Sequence, residues 1–301
     1  MDNIDIIQEI LHHLPFTHCL PLLQSHQKSY SLTHSNKFWH TKYVCEFFQE
    51  SYDKSRNYFQ LLLNTYRTIT SFHRIFVKGS MCPYDPEEIL EYEKKLKKSN
   101  TLVRSLKANF AYIYDGDADE EALHEIDREL KEVGLEHFYD TREVLELPPY
   151  LKTIYGILGK EIGHKEMFNC WGKHMCNFIH MEAMHEFSQY INDTVELVDM
   201  ISPKDLGSIV DWMPVVFDNN SISNGYGLFF VNVYPRSPNF GKCLSYSSGD
   251  EGIVGFTNKT LIECFETVLS DPKFLAMDED KRQKEFSFCD YFNNIDCDEL
   301  Y

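Results

Sequence analysis

Through residues 3–76 the apolar side chains fall three and four positions apart, the spacing of helices that bury one face. Ile4, Ile7, Ile10, Leu11 and Leu14 form the first stripe, with Asp5, Gln8, Glu9, His12 and His13 on the other side, and Pro15 stops the run. A short second run follows (Phe16, Cys19, Leu20, Leu22, Leu23), then a Ser/His/Gln-rich turn. Phe38, Trp39, Tyr43, Phe47 and Phe48 mark a third helix, and Tyr58, Leu62, Tyr66, Ile69, Phe72 and Phe76 a longer fourth. Residues 78–85 read as a break. Asp85-Pro86-Glu87-Glu88 then predicts a capped helix start: Asp85 caps, Pro86 sits where no N–H is needed, and Glu88 completes a capping box. Lys94, Lys95, Lys97 and Lys98 crowd its end, where the helix dipole favours cations. A solvated helix end accounts for them better than a nucleic-acid patch.

The next helix opens at Asp117-Ala118-Asp119-Glu120, carries Leu123, Ile126, Leu130 and Val133 on one face, and stops at Gly134. Leu147-Pro148-Pro149-Tyr150 leads into a short helix through Leu158. Residues 160–181 lie between strand and loop character, and 181–191 read as helix. From Val195 the period changes to two. Strands are expected at 195–200, 210–217, 227–234, 242–247 and 252–256, separated by Asn/Gly/Ser/Pro turns, with a closing helix from Thr260 to Leu269. The tail 271–301 alternates acid clusters with Phe286, Phe288, Tyr291 and Phe292, and is expected to be partly ordered at best. The pattern predicts an α+β protein, with a helical module at 1–78, a helical linker at 79–114, an antiparallel sheet with packed helices at 115–271 and a tail at 272–301. No internal repeat is found.

Composition sharpens this picture. Hydrophobic residues make up 43% and aromatics 14% of 301 residues, enough for a packed core and too much for global disorder. The net charge of −18 repels phosphate backbones and anionic lipid, so neither nucleic acid nor a membrane surface is an expected partner. A basic or neutral protein suits that field better, unless the charge serves solubility alone. Nine irregularly spaced cysteines with no CxxC pair, an N-terminus without signal-peptide character, and no apolar run of the ~18 residues a span needs place the chain in a reducing interior, cytoplasmic or nuclear.

Chemistry is sparse. Six of the thirteen histidines fall within residues 12–40, but His12 and His13 are adjacent, there is no HExxH, and they read as exposed helix and turn residues. Cys170, His174 and Cys176, with His180 and His185 beyond, are the best metal or Cys/His candidates. Their spacing is unlike a zinc knuckle, and a core or sheet-face role ranks first. Neither GxGxxG nor a P-loop lysine motif occurs, carboxylate pairs are uninformative in so acidic a chain, and the sequon at Asn192 carries no weight inside a cell. No catalytic residue, metal or cofactor is assigned. What stands out is 206–269, a shaped β segment in which Asp211, Trp212, Tyr226, Phe229 and Tyr246 could be core anchors or contacts for a bound protein.

Two stretches resemble known families. Ile6 to Pro15, then Leu20, Leu22-Leu23 and Ser35-Asn36-Lys37-Phe38-Trp39, look like an F-box spanning 4–43. The usual Leu-Pro before the first helix is missing, and Gln27-Lys28-Ser29-Tyr30 stands in place of the basic run between the second and third helices. Residues 115–270 resemble the SUKH superfamily, through the acidic helix Asp119–Val133, Leu147-Pro148-Pro149-Tyr150, Asp211-Trp212-Met213-Pro214, the Gly225/Gly227 turn with Leu228–Val233, and the closing helix Lys259–Leu269. The insertion Glu136–Glu146 and the 160–180 region depart from the simplest family pattern.

An F-box followed by a SUKH domain is similar to the substrate receptors of cullin-RING ubiquitin ligases in eukaryotes and in large DNA viruses. The resemblance implies a Skp-type adaptor docked on Ile7, Ile10, Leu11, Leu14, Pro15, Leu20, Leu23 and Trp39, and a client protein held by Asp211, Trp212, Tyr226, Phe229 and Tyr246. The competing expectation is a SUKH-type immunity or regulatory binder whose N-terminal helices are structural.

Overall fold

The computed structural model of the chain describes residues 3–25, 31–48, 51–76, 85–98, 146–158, 176–178, 212–218, 227–247, 253–279, 281–282 and 286–293. Helices α1 (Asn3–His13), α2 (Phe16–Ser25), α3 (Asn36–Glu46), α4 (Tyr58–Phe76) and α5 (Pro86–Lys98) precede α6 (Pro149–Leu158). The strands are β1 (Cys176–Phe178), β2 (Trp212–Asp218), β3 (Gly227–Asn232), β4 (Cys243–Ser247) and β5 (Ile253–Phe256). The helices α7 (Leu261–Ser270), α8 (Pro272–Ala276) and α9 (Phe288–Phe292) follow. The architecture is α+β.

The strands form one antiparallel sheet in the order β1-β2-β3-β4-β5. Phe229 pairs with Ser245 and Val216, and Gly227 with Ser247 and Asp218, so these side chains share one face. Leu228, Phe230, Leu244, Tyr246 and Trp212 occupy the other. The register shifts between Pro214 and Val216, which is where a strand proline is tolerated. Both faces of β3 and β4 are buried, which explains the near-continuous apolar run from Leu228 to Val231.

Local signals set the helix starts. Asp85 accepts from the Glu87 amide while Glu88 reaches back to the Asp85 amide, the expected capping box. Thr260 and Glu263 form a second one at α7. Tyr150, behind its two prolines, donates to the Gly241 carbonyl at 2.7 Å, and Gly241 sits at φ 76°, a conformation that favours glycine.

The buried side chains belong to one hydrophobic cluster that runs from the N-terminal helices into the sheet. Phe72 of α4 stacks on Phe265 of α7, and Thr153 of α6 donates to the Glu46 carbonyl at the end of α3. The described part of the tail packs on the core. Phe286, Phe288, Cys289 and Asp290 are buried, with Phe288 against Phe72, Phe229 and Phe265. The burial of the consecutive residues Phe286 to Asp290 outweighs the charge around them. The segment is pinned by polar bonds as well. Asp218 accepts from the Ser287 hydroxyl and the Cys289 amide, and Asp290 accepts from Ser247. Gly227 makes room for it, since a Cβ there would meet Cys289 at 2.6 Å.

Expectations at 119–133, 181–191 and 195–200 lie outside the described residues.

Candidate protein-docking site

The corner between α1 and α2 is the most sharply built surface feature. Pro15 has no amide to continue α1, and its own carbonyl accepts the His18 and Cys19 amides, both at 2.9 Å, so α2 begins at once. Inside the corner, Lys42 of α3 is 1% exposed and donates to the carbonyls of His12 (3.0 Å) and Leu14. Its Nζ lies 2.6 Å from a Glu46 oxygen, and the other Glu46 oxygen accepts from the Tyr66 hydroxyl at 2.6 Å. Burial raises the Glu46 carboxyl against the pull of the Lys42 charge, the Tyr66 hydroxyl and the Phe16 amide. Burial likewise raises the Cys19 thiol to about 11, so it packs as a small hydrophobe rather than a nucleophile.

The helices around this pair show which residues can meet a partner. Leu11, Phe16, Cys19, Leu23 and Trp39 turn inward. Trp39 lies edge-on to Phe16 and donates its indole N–H to the Thr33 carbonyl. His12 is half-buried and stacked on Phe38, not exposed as its sequence context suggests, and burial together with the Lys42 charge lowers its pKa. Ile10 is 54% exposed and Leu22 is 49% exposed, while Ile7, Leu14, Pro15 and Leu20 are half-buried. Ile7 and Ile10 of α1 and Leu14, just past its end, recur at i, i+3 and i+7 along one side.

Three of the expected docking residues are therefore corrected. Leu11, Leu23 and Trp39 are core, because Phe16, Cys19 and Leu23 supply the inward stripe of α2 and Leu11 and Trp39 close over it. Leu22 is exposed and is not among the expected docking residues; its offset from that inward stripe is the signal that finds it. Lys42 was also missed. A lysine four residues before a glutamate, inside a run of Phe38, Trp39, Tyr43 and Phe47, could have marked it as buried and paired.

The expected client residues do not form one surface. Phe229 is on one face of the sheet and Trp212 and Tyr246 are on the other, and all three are fully buried. Large rings at the centre of a two-face-covered sheet fill the core and leave nothing for a client to touch. Asp211 and Tyr226 lie outside the described residues. Phe256 of β5, edge-on to Trp212, is 38% exposed and is the exposed aromatic among the described residues of the sheet.

Cys170, His174, His180 and His185 lie outside the described residues, and Cys176 is in β1 opposite Asp218. Among the described residues, no group of three or more His, Cys, Asp or Glu could hold a metal ion, and no helix is long and apolar enough to cross a membrane. Cys19, Cys45, Cys243 and Cys264 are free thiols. No family model, curated protein or solved structure matches the chain.

Proposed function

We propose that the chain is a non-enzymatic protein-binding adaptor. Its F-box-like N-terminal helices dock a Skp-type protein of a cullin-RING ubiquitin ligase, and its SUKH-like sheet part holds a client protein, in the cytoplasm or nucleus. The observation that carries the reading is the α1–α2 corner, where Ile10 and Leu22 keep about half their surface in water while the side chains behind them are fixed. The docking face consists of Ile7, Ile10, Leu14, Pro15, Leu20 and Leu22. Phe256 belongs to the client side. The charge of −18 suits a basic or neutral client and disfavours nucleic acid.

The test is capture of the full-length chain by a purified Skp-type adaptor. Ile10→Glu with Leu22→Glu removes capture while leaving stability within about 1 kcal/mol, since both side chains are exposed. Undiminished capture by a folded double variant sinks the reading.

A second reading is supported by the Phe72–Phe265 stack and by burial of Leu11 and Leu23: an immunity-like or regulatory binder whose N-terminal helices only complete the core. Under it the wild-type chain is not captured by a Skp-type adaptor, and the same double variant leaves every native partner bound.

A further inference from the structure

Lys42 and Glu46 form a buried charge pair that no hydrophobic requirement of the core explains. Desolvating two ions costs several kcal/mol, and well-packed apolar residues often serve stability as well or better. Geometry is what the pair supplies. An ammonium has three donors; here two go to the His12 and Leu14 carbonyls, and the charge is paired with the Glu46 carboxylate beside it. The first two are among the carbonyls that α1 leaves without helical partners as it ends at Pro15. Glu46 takes the Tyr66 hydroxyl of α4. One ion pair thus touches the end of α1 and both α3 and α4, at the point where the chain turns into α2. Apolar side chains at 42 and 46 could fill the volume but could not choose among nearby angles of α2 against α1.

From this arrangement we infer that Lys42 is a positioning residue of the docking face: by holding the His12 and Leu14 carbonyls it fixes how α2 leaves α1, and so where Leu20 and Leu22 stand relative to Ile7, Ile10 and Leu14. The inference rests on the adaptor reading and adds a residue that would touch no partner. Its exposure of 1% excludes direct contact with the adaptor.

The test uses the full-length chain and a purified Skp-type adaptor, with affinity measured well below the melting transition of each variant. Lys42→Met keeps the stem and removes the donors. It is expected to weaken binding at least tenfold while near-ultraviolet circular dichroism stays native. The His18 and Cys19 amides, bonded to the Pro15 carbonyl, should then exchange faster than the drop in global stability accounts for. A purely structural ion pair would lower the melting temperature and leave the affinity of the folded protein unchanged, and that result overturns the inference. Should Lys42→Met not fold, Glu46→Gln decides. It keeps a Tyr66 acceptor and loosens Lys42, so weaker binding with faster exchange at His18 and Cys19 supports the inference, and unchanged values overturn it. Failure of the wild-type chain to bind the adaptor is a different result, and sinks the adaptor reading itself.

Discussion

Phe72 of α4 lies flat on Phe265 of α7, with ring centroids 3.6 Å apart and planes 14° from parallel, and Phe288 meets the Phe72 edge at 5.3 Å. These three rings join the N-terminal helices to the helices that follow the sheet. All are fully buried, so the joint is core rather than a wet interface between separable parts.

Phe72→Ala is expected to destabilise the whole chain by about 3–5 kcal/mol, the usual cost of emptying a buried phenylalanine site. Trp39 and Trp212 sit on opposite sides of the joint, so single-tryptophan variants report on each side during urea unfolding. Coincident transitions in the Phe72-containing chain are expected, with separation appearing once Phe72 is gone. Separate transitions in both would show that the rings do not couple the two sides.

Gly227→Ala pushes a methyl group to within 2.6 Å of Cys289 in the undistorted structure, which something must relieve. The expectation is a loss of about 1–3 kcal/mol and displacement of the segment Ser287–Asn293 from the sheet. Cys289 is buried, so its reaction with a maleimide is slow in the parent chain and should speed up in the variant. An unchanged labelling rate would mean the segment adjusts without leaving.

Thr260→Ala removes the hydroxyl that accepts from the Glu263 amide and one half of the α7 capping box. Its cost is expected to be about 1 kcal/mol, read as a lower urea midpoint with an unchanged slope. Partner binding at the α1–α2 corner should not move.

Stability should also fall on the acid side of neutrality through His12. Burial and then the Lys42 charge hold its folded pKa below the ordinary 6.5. Above 6.5 the ring is neutral folded or unfolded, and its contribution is fully present. As pH falls through 6.5 the unfolded chain takes up the proton first, so stability drops until the folded value is reached. His12→Phe keeps the ring packed on Phe38 and should flatten this limb. Urea midpoints of the two proteins from pH 8 to pH 5 measure the difference, and parallel curves would exclude His12 as its source.

Much of the fold is legible along the chain because its periods are clean. The stripes at Tyr58–Phe76 and Thr260–Leu269, the capping box at Asp85, and the alternation around β2 to β5 each map onto an observed element within a residue or two. Surface assignment is harder to read. Leu11, Leu22 and Leu23 have the same chemistry, and only the crossing of α2 over α3 decides which of them sees water. Trp212 illustrates the same limit: its size marks it as an anchor, but whether it anchors a core or a partner depends on what covers the sheet. In the tail, the long-range packing of Phe288 on Phe72 and Phe265 leaves no local trace among the acids that surround it.

The rings that close this core lie far apart in the sequence. As the polypeptide leaves the ribosome, α4 emerges with Phe72 lacking its companions, and Phe265 and Phe288 follow only after the whole sheet has been made. Until then a row of oily helix surface is open to chaperones or to neighbouring chains, and contacts of such long sequence separation form late in folding.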